Sequence, residues 1–237
     1  MSGPPGSGEW VEEEYPEWRW RLLEEKRDKA LRILEALSTL GLPVIVHGSI
    51  ARGDVKESSD IDAVILVPPM PGMVEIVLER AGYRIVEKVI VQATPHYIPK
   101  VYLYLDYSEE QVVSYPLAPL RPREREFYKW GGELDLAGLK AGRRVPGVNK
   151  DLLLVMPSAR GHRTLPVPGN EEYVASILGI SIDTVRERVE VLTRRREIGR
   201  TGVFLKENIP PDVPIEAAIK DIARRNPFFR RALRGVL

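Results

Sequence analysis

Cysteine is absent from the 237 residues. That absence excludes a disulfide scaffold, thiol catalysis and cysteine-ligated zinc or iron–sulfur centres. Amides are scarce as well, with four Asn and two Gln, while charged residues make up 29% and Arg outnumbers Lys by 25 to 10. Few amides among many charges is the composition of a protein built for heat. No apolar run approaches the roughly 20 residues of a membrane span. The opening MSGPPGSGEW carries neither the basic nor the apolar region of a signal peptide, so a soluble, cytoplasmic protein is expected. A hydrophobic content of 43% excludes wholesale disorder and leaves chain enough for one large domain or two small ones.

The net charge of +1 hides an asymmetry. Residues 1–120 hold 12 basic and 19 acidic groups, whereas residues 121–237 hold 23 and 15. A basic half of this kind suggests an anionic partner. Residues 1–15 read as a flexible tail. From Pro16 the order reads helix, strand (Val44–His47), strand (Asp60–Val67), helix (72–82), then two strands (84–92 and 100–108), one compact domain over 16–115. A Pro/Gly-rich connection over 116–150 holds one short helix, PREREFYKW. Residues 151–237 read as a basic C-terminal domain, opened by a hairpin across SARGH.

Chemistry concentrates in residues 47–66, HGSIARGDVKESSDIDAVIL. Gly48-Ser49 follows a strand and opens a short helix, where free backbone N–H groups suit a phosphate. Ser49 adds a hydroxyl and Arg52 a guanidinium. Asp60 and Asp62 stand two apart on the next strand, so their carboxylates leave the same face. Like charges so close raise each other's pKa unless a cation lies between them. Hard carboxylate oxygens suit Mg²⁺ or Mn²⁺, ions that also bind nucleotide phosphates.

This arrangement, Gly48-Ser49-x-x-Arg52-Gly53 followed by Ser59-Asp60-Ile61-Asp62 opening an apolar strand, resembles the signature of the DNA polymerase beta-like nucleotidyltransferase superfamily, of the minimal nucleotidyltransferase type. The resemblance implies an α/β (α+β) fold, a small mixed sheet with flanking helices. It implies nucleotide binding by Gly48, Ser49 and Arg52, and a third carboxylate from a later strand, for which Asp106 at the end of KVYLYLDYS is the candidate. Asp60 and Asp62 would then ligate two Mg²⁺ (or Mn²⁺) ions. Asp106 would ligate one of them and accept the proton of an acceptor hydroxyl that attacks the α-phosphate of a nucleoside triphosphate. His47 reads as a packed core histidine outside the site.

In the C-terminal half, Tyr173 to Leu192 resembles a helix-turn-helix, with a turn at Gly179 and a basic sequel, Arg194-Arg195-Arg196. REIGRTGVFL would be its wing, completing a winged-helix-like module. Net charge over 186–237 is +6, suited to RNA or another nucleic acid. The expected function is therefore metal-dependent transfer of a nucleoside monophosphate to a hydroxyl, with an RNA 3′ end favoured over a protein or small molecule. The alternative is a nucleic-acid-binding regulator that senses nucleotide without turnover.

Overall fold

A computed structural model describes residues 8–199 and 202–235. In chain order the elements are β1 (Val11–Glu14), α1 (Glu17–Ser38), β2 (Val44–His47), α2 (Ser49–Arg52), β3 (Ile61–Ile65), α3 (Pro71–Arg80) and β4 (Glu87–Gln92). Next come β5 (Lys100–Tyr104), β6 (Gln111–Pro116), α4 (Pro122–Gly131), β7 (Glu133–Asp135), α5 (Leu136–Lys140), β8 (Gly147–Val148), β9 (Leu153–Ser158) and β10 (Gly161–Pro166). The last are α6 (Glu171–Leu178), α7 (Ile182–Ile198), β11 (Leu205–Ile209), α8 (Ile215–Arg225) and α9 (Pro227–Ala232). The architecture is mixed α/β, as the resemblance implied.

Two compact units share this chain discontinuously. The first holds the residues up to Asp28, His47–Ser59, and the stretch from Pro122 through α7. Its sheet runs β1-β10-β9-β8, all antiparallel, with β9 and β10 forming the expected hairpin. Leu154 and Leu165 from that sheet, and Val167 just after it, are buried with Trp130 of α4, Val174 of α6 and Val185 of α7. Gly179, in the left-handed region at φ 59°, ends α6. Ser181 then caps α7 by accepting from the Thr184 N–H.

The second unit comprises Lys29–Val46, Asp60–Arg121 and the residues from Gly202. Its strands run in the order β11-β4-β5-β6-β3-β2. β3 and β6 are parallel, while β4, β5, β6 and β11 pair antiparallel. Along β3, Ile61, Ala63 and Ile65 are fully buried and lie on one face with Leu103 and Tyr115. Lys88 shares that face; its ammonium reaches Glu75 of α3 at 3.1 Å and the Val213 carbonyl at 3.0 Å. Ile215, Ile219 and Ile222 make α8 amphipathic, and all three are buried.

The boundaries differ from the sequence reading in three places. Residues 1–7 of the expected tail lie outside the described residues, but Val11–Glu14 form β1 on the edge of β10. Glu-rich composition concealed this strand, whose four residues are all exposed. Second, β6 was not foreseen: it occupies the last residues of the domain expected over 16–115 and ends at Pro116, where the connection was expected to begin. Third, the expected wing, 196–205, begins inside α7, runs through residues 200 and 201, outside the described residues, and reaches β11 only at Leu205. β11 pairs antiparallel with β4, giving an otherwise open strand edge a partner. The winged-helix module is thus not confirmed, and the second unit's sheet draws its strands from 44–116 and from 205–209.

Gly161 marks how closely β1 seats. A Cβ at this position would collide with the Glu13 carbonyl oxygen. Gly161→Ala should cost about 1–3 kcal/mol in denaturant unfolding and speed amide hydrogen exchange in Val11–Glu14. Unchanged exchange there would show that β1 is not held by this close approach.

Candidate functional site

The sequence-predicted residues divide between the two units. Gly48, Ser49 and Arg52 belong to the first, and Asp60, Asp62 and Asp106 to the second. The chain crosses from one to the other between Ser59 and Asp60.

Gly48 takes φ 80°, ψ −141°, a conformation closed to side-chain-bearing residues, and caps the single turn of α2. Its N–H donates to the Gly132 carbonyl at 2.9 Å, and its carbonyl accepts from Arg52 N at 3.0 Å. Ser49 is half-buried at the start of that turn. Arg52 was expected to meet nucleotide, but its guanidinium is 6% exposed and engaged within the protein. Nε and Nη2 bind both oxygens of Asp54 at 2.9 and 3.0 Å, while Nη1 donates to the Gly131 and Val148 carbonyls. The donors that would have faced a phosphate hold the backbone of α4 and β8. His47 packs between the rings of Phe127 and Tyr128, with centroids at 5.2 and 5.3 Å.

Asp60 is exposed immediately before β3, and Asp62 is half-buried within it. Register puts Asp62 opposite Val112 of β6, and Val112 opposite Tyr104 of β5. The next row on that face is Val64, Ser114 and Tyr102. Burial first, then the Asp62 charge, raises the Tyr102 phenol to about 12. Burial likewise raises Tyr104, helped by Glu109, Glu87 and Asp62. Both phenols are neutral O–H donors on the face that bears Asp62.

Asp106 departs from expectation. β5 closes at Tyr104, so Asp106 lies in the turn leading to β6. Its Oδ1 accepts from Ser108 Oγ at 2.6 Å and Glu110 N at 2.9 Å; its Oδ2 accepts from Gln111 N at 2.8 Å and Gln111 Nε2 at 3.2 Å. Partial burial pushes this carboxyl up, but the four hydrogen bonds together hold it below the usual carboxylate value. The geometry is that of a turn-capping aspartate. Asp106 followed two residues later by Ser108 was the sequence signal for such a turn, overridden by the alternation of KVYLY.

The donor set fits one cation. Two hard carboxylates on adjacent same-face positions, with phosphate and water oxygens, make an ordinary Mg²⁺ environment. Among the described residues no three His, Asp or Glu side chains form a metal-holding group. Asp54 is bound to Arg52 and Glu75 to Lys88.

Residues 27–117 match the nucleotidyltransferase domain family, which supports placing this segment in the polymerase beta-like nucleotidyltransferase superfamily and gives it a general nucleotidyl-transfer character. No curated protein and no solved structure matches the chain. No helix among the described residues is long and apolar enough to cross a membrane.

The helix-turn-helix-like pair α6 and α7 presents a mixed surface. Asp183 and Glu187, near the start of α7, bind Arg123 of α4 at 3.4 and 3.0 Å. Glu126 of α4 accepts from Ser181 N at 3.2 Å and from the Ser181 hydroxyl at 2.9 Å. Arg194 and Arg195 are exposed at the other end, while Arg196 binds Asp151 at 3.3 Å.

Two outcomes follow from this geometry. Arg52→Ala should destabilise the protein by about 3–5 kcal/mol, because it strands a buried carboxylate, as read by denaturant melts; a loss below about 1 kcal/mol would exclude the clamp. For Asp106, a folded-state pKa below the unfolded value means its stabilisation is complete above about pH 4 and is lost as pH falls through the folded value. Asp106→Asn should flatten that acid limb and cost about 1 kcal/mol at neutral pH, whereas an unaltered acid limb would show that the turn does not use the charge.

Proposed function

We propose that the nucleotidyltransferase domain binds a nucleoside triphosphate with Mg²⁺ (or Mn²⁺) and transfers a nucleoside monophosphate to a hydroxyl, releasing pyrophosphate. The observation that carries this reading is the pair Asp60 and Asp62 opening β3 within the matched segment. A bound cation supplies charge neutralisation at the triphosphate. Asp60 and Asp62 would hold it. The acceptor oxygen bonds to the α-phosphorus as the bond to the bridging oxygen breaks, and pyrophosphate leaves with that electron pair.

An RNA 3′ end is the acceptor we favour. The net charge of +6 over 186–237 supports it, supplying sequence-independent attraction to phosphates. A second reading, a regulator that senses nucleotide without turnover, draws support from Asp106, whose carboxylate is committed to its own turn.

Labelled triphosphates incubated with the full chain and total cellular RNA or protein test the reading. Mg²⁺-dependent label should enter RNA with pyrophosphate release, and both should fall to background in Asp60→Ala and Asp62→Ala. Nucleotide binding without label in any fraction would favour the sensor. Arg194→Ala/Arg195→Ala should weaken RNA binding and make its salt slope shallower by about one unit for each phosphate that is no longer neutralised. Equal labelling of RNA by this variant at all salt concentrations would instead place the acceptor elsewhere on the chain.

A further inference from the structure

We infer that the centre on β3 takes a single divalent cation, delivered with the triphosphate, and has no place for a second because Val112 stands where a further carboxylate would be needed. The inference rests on the nucleotide-binding reading above but is independent of whether turnover follows.

The limit is one of ligands, because the triphosphate brings negative charge of its own for the ion it carries. A second ion at the protein surface needs another hard, anionic oxygen within a few ångströms of Asp62. Paired residues on neighbouring strands project from one face, and strands lie about 4.8 Å apart. The β6 residue that meets this requirement is the register partner of Asp62, Val112, which is 6% exposed and apolar.

Glu109 acts on the Tyr104 phenol, and the other nearby acids are distant or engaged elsewhere. Further along the same row lie Tyr104 and then Glu87. Glu87 is three strands from Asp62, roughly 14 Å at that spacing. Glu110, just before β6, has Oε1 on the Lys29 ammonium at 3.1 Å. Asp106 spends both oxygens on Ser108, Glu110 and Gln111. Stripping those four bonds would undo the β5–β6 turn. One Mg²⁺ held by one or two carboxylates, with phosphates and waters completing the shell, requires none of these groups.

Counting Mn²⁺ by electron paramagnetic resonance, with α,β-methylene-ATP as the nucleotide probe and the full chain, tests the inference. One Mn²⁺ per chain–nucleotide complex is expected, lost in Asp60→Asn and retained in Asp106→Asn, Glu109→Gln and Glu110→Gln. Val112→Asp should raise the count to two, and Val112→Asn, similar in shape but uncharged, should leave it at one. Should Val112→Asp fail to fold, judged by circular dichroism, the parent count and the Asp106 and Glu110 variants still decide. Two Mn²⁺ in the parent protein would overturn the inference while leaving the nucleotide-binding reading intact, and a fall from two to one in Asp106→Asn would name the missing ligand. Failure of the folded parent chain to bind Mn²⁺ with nucleotide would overturn that reading, and the inference with it.

Discussion

A guanidinium removed from water must have its donors satisfied, and Arg52 shows how much backbone that requirement can organise. The side chain joins Asp54 to the carbonyls of Gly131 and Val148, so three separate stretches of chain converge on one planar group. Glycines accommodate the approach. Alanine at Gly147 would push its Cβ against the backbone of Gly131 and Gly132. The turn that begins at Gly48 is held by the same neighbourhood, through the Gly132 carbonyl. A motif whose residues look like ligand contacts in one dimension thus divides its labour: Gly48 and Ser49 shape the turn, and Arg52 anchors it.

The second unit obeys a different constraint, set by the pleat. On β3 the odd positions, Ile61, Ala63 and Ile65, are fully buried, leaving Asp62 on the opposite face beside Val112 and the two tyrosines. Period-two alternation makes a carboxylate at a buried-strand position tolerable. Its neighbours help: neutral phenols offer hydrogen-bond donors without adding charge. An apolar residue at 112 keeps the sheet packed at the expense of a ligand position.

Much of this was legible in the sequence. β2, α3 and α4, the β9–β10 hairpin and the α6–α7 pair emerged near their observed bounds because periodicity and caps agreed. Asp60 and Asp62 were readable because carboxylates two apart at the start of an apolar run are conspicuous. The failures have common causes. Four exposed residues of an edge strand, as in β1, carry no burial pattern to detect. β6 was hidden by the proline that ends it, and Asp106 by a clean alternation that continues past the real end of β5. Arg52 was misjudged because its partners at 131 and 148 lie some 80 and 96 positions away, beyond any local pattern.

The pairing of β11 with β4 has a consequence for how this protein is made. Residues 205–209 complete an edge begun at 87–92, so more than a hundred residues leave the ribosome between the two partners. α8, whose Glu216 accepts from the Gly72 N–H at the start of α3, arrives later still. During synthesis the second unit's sheet therefore waits with β4 open along one edge. The order of translation makes residues 205–209 a clasp for a strand made long before them.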